Sequence, residues 1–153
     1  MMSKRVISIL LALSIMVALP TTIVLSEKEY IPVENEVPRV GPYSQMIRAG
    51  GFVFCSAQAA FDPATGKLIE GDITAQTNQI LSNFAAELKD AGLTLNDVVD
   101  VTVYMTDITM FSEMNEVYAK FFSEPYPARA CVEVSNLPVE GALLTIKVTA
   151  LAK

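Results

Sequence analysis

Two kinds of spacing alternate along the second half of this chain, and their order limits the folds open to it. Ile73, Thr77, Ile80, Leu81, Phe84, Leu88 and Ala91 recur at three- and four-residue steps, which lays one stripe along an α-helix. Asp72 is an N-cap residue in front of that stripe, and Gly92 suits the left-handed position that closes a helix. From Val98 to Met105 the period drops to two. Val99, Val101, Val103 and Met105 fall on one side, and Asp100, Thr102 and Tyr104 on the other, the pattern of a half-buried strand. A second helix is predicted from about Met110 to Phe122 on the stripe Phe111, Met114, Val117, Tyr118 and Phe121, ended by Pro125 and Pro127. Alternation returns over Arg129–Ser135, with Arg129, Cys131, Glu133 and Ser135 opposed to Ala130, Val132 and Val134. After a turn at Pro138–Gly141, Leu143–Ala152 is a last strand, setting Ile146, Val148 and Ala150 against Thr145, Lys147 and Thr149.

Upstream, Ser44–Ala49 and Phe52–Ala57 read as strands joined by Gly50-Gly51, a two-residue hairpin signal. Asp62-Pro63-Ala64-Thr65-Gly66 is a turn. The element order is β-β-α-β-α-β-β, and the economical packing is an α+β domain with two helices on one face of a sheet. The domain is expected over residues 38–153, preceded by an extended arm at 27–37. The sheet's second face is read as carrying Tyr104, Arg129, Cys131, Thr145, Lys147 and Thr149. That face is too polar for a private core and too apolar for a free surface, so homo-oligomerisation is expected.

Residues 1–26 are a separate matter. Lys4 and Arg5 precede a run from Val6 to Leu19 that is apolar except for Ser8 and Ser14, and no acid occurs before Glu27. A basic start followed by a short apolar run is the layout of a secretory signal peptide. Val24 and Ser26 are small enough to precede a cut at Ser26–Glu27. Read on to Leu25, the same run is long enough to span a bilayer as an uncleaved anchor. Pro20, Thr21 and Thr22 interrupt it and favour cleavage, hence export. Cleavage removes two basic residues and no acid, so the formal charge goes from −6 to −8.

Composition excludes several chemistries. The 153 residues include no His and two Cys, so no Ser-His-Asp or Cys-His nucleophile system can form and a zinc cage is not expected. A pI near 4.6 argues against a nucleic-acid surface. Arg129 is the residue to single out, because a guanidinium on a rigid strand binds a carboxylate through two parallel hydrogen bonds. Cys131 follows two residues later on the same side, and together they can frame a small carboxylate pocket. On pattern alone the plainer alternative stands ahead: an Arg paired with an acid, and a Cys that is a small buried hydrophobe. Cys55 and Cys131 invite a disulfide in an exported protein, although Cys55 reads better as core. Tyr43 either offers its phenol to a pocket or packs at the sheet edge. Ser56 is otherwise a turn-capping hydroxyl, and Asn115 a solvated helix position. Lys147 and Glu133 are placed for a structural pair across adjacent strands.

Several blocks then occur together in order: Gly41-Pro42-Tyr43-Ser44-Gln45, the Phe54–Gln58 strand end, Asp62-Pro63 with Thr65-Gly66, Gly71-Asp72-Ile73 with Gln76-Thr77, Asn115-Glu116-Val117-Tyr118, and Pro127–Val134 with Leu137-Pro138. Over residues 38–152 the chain resembles the reactive intermediate deaminase family, also called Rid or YjgF-like. The resemblance implies a fold related to chorismate mutase and a homotrimer whose sheets form a central barrel with three clefts between subunits. It implies hydrolysis of 2-imino acids such as 2-iminopropanoate and 2-iminobutanoate to 2-keto acids and ammonia, without metal or organic cofactor. By the same resemblance, Arg129 binds the substrate carboxylate and the backbone of Cys131 lies beside the imine nitrogen. Tyr43 and Ser56 line the pocket, and Asn115 lies near it.

A chain without His suits that chemistry, since a protonated imine is already electrophilic and the site has only to hold the carboxylate and orient a water. Two positions depart from the family pattern. Ser56-Ala57-Gln58 stands where the family has Ser-Gly-Gln, so a methyl group enters near the pocket. Thr149 stands where a Glu positions the attacking water, and Lys147 where a Glu is often found. A Thr hydroxyl can hold a water but cannot act as a carboxylate base; Glu140, in the loop before the last strand, is a candidate substitute. Two readings follow: an exported deaminase, or a non-catalytic trimer that binds small carboxylates through Arg129. Ribonuclease-like activity fits poorly with the acidic charge and the lack of His. Membrane association is expected only if residues 6–25 persist as an anchor.

Overall fold

A computed structural model describes residues 27–34 and 36–153. The leader, cleavage site and anchor read from residues 1–26 lie outside the described residues. Among the described residues, eight strands and two α-helices follow in chain order. They are β1 (Glu29–Tyr30), β2 (Met46–Ala49), β3 (Phe52–Cys55), β4 (Phe61–Asp62), β5 (Lys67–Leu68), α1 (Ile73–Asp90), β6 (Val98–Met105), α2 (Phe111–Phe121), β7 (Ala128–Glu133) and β8 (Leu144–Leu151). Six strands form one mixed sheet in the order β1-β2-β3-β8-β6-β7, in which only β6 and β7 run parallel. The other two, β4 and β5, make a small hairpin around the Asp62–Gly66 turn. The fold is α+β, with the helices packed on the sheet as expected.

Local chemistry explains the elements. Gly50 and Gly51 both have positive φ, 57° and 83°, which a two-residue hairpin with native twist requires. The Asp72 side chain accepts from the Ala75 amide at 2.9 Å, a cap that contributes about 1 kcal/mol. At the other end Gly92 N–H donates to Lys89 O and Leu93 N–H to Leu88 O, a Schellman closure with Leu93 buried beside Leu88. Every residue of the expected α1 stripe is buried. Three polar residues, Gln76, Asn83 and Glu87, are buried along with it. Gln76 spans Gly141 O and Leu143 N, and Asn83 donates to Phe61 O at 2.8 Å. Each polar side chain thus ties the helix to a loop or strand.

Three expectations need correction. Alternation along Val98–Met105 puts Val99 on the core side of β6, but Val99 is 41% exposed and Val98 is buried instead. A register shift between Val98 and Asp100 against β8 inserts one extra residue, and a bulge of that kind reverses the side on which the preceding residue falls.

The second correction concerns β7. Arg129 pairs with Val101 and Cys131 with Val103. Directly paired residues share a face, and Val101 and Val103 are fully buried under the helices. Arg129 and Cys131 therefore project toward the helix side, not the open face. The open face carries Asp100, Thr102, Tyr104, Ala130, Val132, Thr145, Lys147 and Thr149, as the registers dictate. Phe52, Phe54 and Leu151 continue it as exposed apolar groups.

The third is the Lys147–Glu133 pair. β6 separates their strands, and Lys147 aligns with Thr102 whereas Glu133 aligns with Met105 on the other face. Glu133 instead accepts from the Ile108 amide at 2.8 Å. The sheet order also answers the cysteine question. Two strands lie between β3 and β7, about 14 Å at ~4.8 Å per strand. That exceeds disulfide reach, and both thiols are free.

Candidate functional site

Arg129 sits near the start of β7, the edge strand of the sheet, under α2. Its guanidinium lies 4.4 Å from the centroid of the Tyr118 ring and 5.6 Å from that of Phe111. Stacking on aromatic faces holds the planar cation without neutralising it. The ion pairs among the described residues join Arg39 to Glu36, Arg48 to Glu29 and Lys153 to Asp97, so Arg129 has no carboxylate partner there. The acid-paired alternative is not what the structure shows within one protomer.

A cleft of about 420 Å³ opens beside this guanidinium, lined by Asn115, Tyr118, Ala119, Tyr126, Pro127 and Arg129. Asn115 and Arg129 are thus brought together. The sequence assigns Tyr118 no site role, placing it on the core stripe of the second helix and in the Asn115–Tyr118 block. It lies one helical turn from Asn115, and that spacing places both on one helix face. Burial pushes the pKa of its phenol up to about 12 against the opposing pull of Arg129, and its hydroxyl has no hydrogen-bond partner among the described residues.

Cys131 is half-buried with its Sγ 3.5 Å from Met105 Sδ. Burial raises its pKa while Arg129 pulls it down, and a thiol raised in this way stays protonated at neutral pH. Its backbone is better placed than its sulfur. Val134 N–H bonds to Met105 O, so the alternation of a parallel ladder turns the amide and carbonyl of Arg129 and Cys131 toward the open edge of β7.

The remaining site residues lie elsewhere. Tyr43 lines a second cleft, of about 270 Å³, together with Ala57, Gln58, Tyr104 and Thr145. The Tyr43 hydroxyl accepts from the Val40 amide at 3.3 Å. Ser56 donates its hydroxyl to Ser44 O at 2.8 Å and its amide to Gln45 O at 2.9 Å, which fastens the two strand ends together. Ala57 is exposed, and no residue other than glycine has positive φ among the described residues, so its methyl group fits without strain. Thr149 is half-buried on the open face, aligned with Phe54 on one side and Asp100 on the other. Glu140 is exposed and lines neither cleft. The candidate residues therefore fall into two separate groups within the chain. Arg129, Asn115 and the Cys131 backbone form one, at the helix-side edge. Tyr43 and the Ser56 segment belong to the other, with Thr149 on the open face.

Sequence reasoning also missed Glu87, which is 3% exposed behind the second cleft. Its carboxylate accepts from Gln45 Nε2 at 3.3 Å and from Gln58 Nε2. Burial pushes its pKa up to about 7, with the two amide hydrogen bonds opposing and Asp90 and Glu36 adding to the rise.

Known proteins share this architecture. The family model described as Endoribonuclease L-PSP matches residues 33–152. A RutC family protein of Pyrococcus horikoshii is 53% identical over 111 residues, 72% of this chain and 88% of that one. The chloroplastic Reactive Intermediate Deaminase A of Arabidopsis thaliana is 37% identical over 117 residues, 76% of this chain and 63% of that protein. The crystal structure of E. coli TdcF with bound serine superposes with a TM-score of 0.74 at 35% identity, covering 82% of this chain and 99% of that one.

Proposed function

The chain belongs to the L-PSP family, whose relatives carry the names RutC and reactive intermediate deaminase, and on that premise we propose that it hydrolyses small 2-imino acids to 2-keto acids and ammonia. What carries this reading is an arginine without an acid partner, stacked on Tyr118 and open to a cleft that also holds Asn115. Such a guanidinium takes the carboxylate of the imine in a bidentate grip. Held there, the imine nitrogen meets the free backbone edge at Cys131, where a carbonyl accepts from its N–H. Water adds to C2 to give a carbinolamine, and collapse of that intermediate expels ammonia and leaves the keto acid. The protein supplies orientation and a polar lining rather than a nucleophile.

On this reading the two groups of residues become one site only between protomers. The open face mixes polar groups with the exposed Phe52, Phe54, Val132 and Leu151, an exposed apolar content of the kind that subunits cover. A homotrimer in which each open face meets its neighbours would set Tyr43, Ser56 and Thr149 of one subunit near Arg129 of the next. Thr149 would then hold the water through its hydroxyl, with the Asp100 carboxylate opposite it. The test is to generate 2-iminopropanoate in situ and follow its decay with wild type, Arg129→Ala and Thr149→Glu. Wild-type decay above buffer, lost in Arg129→Ala, supports the proposal. An Arg129→Ala variant as fast as wild type removes the site assignment.

A second reading has its own support, since Thr149 replaces a carboxylate at the water position and TdcF was crystallised with serine bound. In it the chain binds small carboxylates and catalyses little. Wild type equal to buffer with Thr149→Glu active decides for that reading. Export is proposed on the basic and apolar residues before Glu27. Mass spectrometry of the native N-terminus tests it, and a chain beginning at Met1 excludes cleavage.

A further inference from the structure

Glu87 belongs to none of the residues that touch the proposed ligand, yet it is the most deeply buried acid of the domain and joins the two segments that do. One carboxylate oxygen accepts from Gln45 and the other from Gln58. Gln45 follows Tyr43 and Ser44, and Gln58 follows Ser56 and Ala57. These are the two strand ends already fastened by the Ser56 hydroxyl and amide. Gln58 is also fixed on its backbone, exchanging hydrogen bonds with Ile146 at 2.9 and 3.1 Å, and it lines the cleft beside Tyr43 and Thr145. From α1, then, the carboxylate sets how the Tyr43 and Ser56 segments sit against each other.

We propose that Glu87 is a positioning residue whose ionised carboxylate clasps Gln45 and Gln58 together, and whose protonation rearranges that clasp and weakens ligand capture. This rests on the function proposed above. The polar inventory makes the rearrangement specific. Gln58 Oε1 is buried without a hydrogen-bond partner among the described residues. An ionised Glu87 can only accept, so both glutamines must offer it N–H groups. Once Glu87 takes up a proton it carries an O–H donor, and a half-turn of the Gln58 amide lets Oε1 accept it. The proton has a route, because Glu87 forms part of the wall of a surface cleft with Glu34, Ala86, Lys89 and Asp90.

The charges around Glu87 keep this equilibrium within reach. Asp90 from its own helix and Glu36 from the arm both oppose its ionisation. Glu36 is itself paired with Arg39 at 3.0 Å. Cys55 from β3 faces it as a neutral thiol, its pKa pushed up to about 12 by burial and by Glu87. Arg48 from β2 is committed to Glu29 and to Ala91 O, both at 3.2 Å. Two opposed forces of ordinary size, burial and the amide hydrogen bonds, leave the group near neutrality.

The experiment compares wild type with Glu87→Gln and Glu87→Leu. The imine's own protonation is common to all three proteins and cancels in their ratio. Between about pH 6 and about pH 8.5, the wild-type to Glu87→Gln ratio of kcat/KM should rise roughly three- to tenfold with a midpoint near 7, chiefly through KM. Glu87→Leu should stay low throughout, with unchanged circular dichroism. A flat ratio, or Glu87→Leu as active as wild type, overturns the proposal. A second readout needs no turnover: NMR of the Gln45 and Gln58 side-chain amides, and titration of 2-oxobutanoate, at both pH values. Amide signals that move with pH in wild type but not in Glu87→Gln, and tighter 2-oxobutanoate binding at the higher pH, support it. Static amides or pH-independent binding overturn it. Absence of imine hydrolysis with these signals moving removes the enzymatic reading alone.

Discussion

Arg129 and Thr149 project from opposite faces of the same sheet. Arg129 aligns with Val101 and Thr149 with Asp100, and those two are neighbours on β6, so their side chains must diverge. No rotamer change brings the Arg129 guanidinium and the Thr149 hydroxyl together within a single chain. Either the two residues serve different purposes or a second subunit closes the site.

A shared site has a measurable consequence. Arg129→Ala and Tyr43→Phe each damage one half. In subunit mixtures of the two inactive variants, some interfaces unite an intact half from each. After unfolding and co-refolding at equal amounts, activity should return to about a quarter of wild type, as random assembly of ring sites gives. Mixtures as inactive as their parents would mean that each site lies within one chain.

The open face is open to direct test. Phe54 is 42% exposed and aligned with Thr149. Phe54→Asp puts a charge on the surface that subunits are proposed to cover, and burying an unpaired carboxylate costs several kcal/mol. Sedimentation should show wild type as a trimer and Phe54→Asp as a monomer with unchanged far-ultraviolet circular dichroism. A wild-type monomer at micromolar concentration excludes the trimer.

Under the proposed function, the shape of the cation at Arg129 should matter as well as its charge. The guanidinium is held on Tyr118 and offers two parallel donors, whereas an ammonium at the same place offers a point charge. Arg129→Ala should lower kcat/KM about 100-fold, the scale of two charge-assisted hydrogen bonds, and Arg129→Lys should recover only part of it. Full activity in Arg129→Lys would show that charge alone suffices.

These tests follow boundaries of what the residue order could tell. The α1 stripe and its Gly92 closure were legible because both are local: period, cap and left-handed glycine all lie between Asp72 and Gly92. The side of β6 on which Val99 falls was not, because the bulge exists only in the pairing with β8. Alternation divided β7 into two sides correctly, but which side meets the helices is decided by the register of Arg129 on Val101. Likewise Glu87 lies on the buried stripe of α1 as a lone acid. Its partners, Gln45 and Gln58, are 42 and 29 residues away, and only the folded chain brings them to it.

Stability should carry the mark of Glu87 in an unusual direction. Its pKa rises from the ordinary 4.5 to about 7 on folding, so between those values the native state holds a proton that the unfolded chain has released. Stability then falls as pH rises. The contribution is fully present below about 4.5, fades through 7, and is absent above it, which is opposite to an ion-paired carboxylate. The span corresponds to roughly 3 kcal/mol as an order of magnitude. Wild-type stability to urea should therefore decline between about pH 5 and about pH 8, relative to Glu87→Gln, whose side chain does not titrate. Parallel curves for the two proteins would show that this carboxyl ionises alike in the folded and unfolded states.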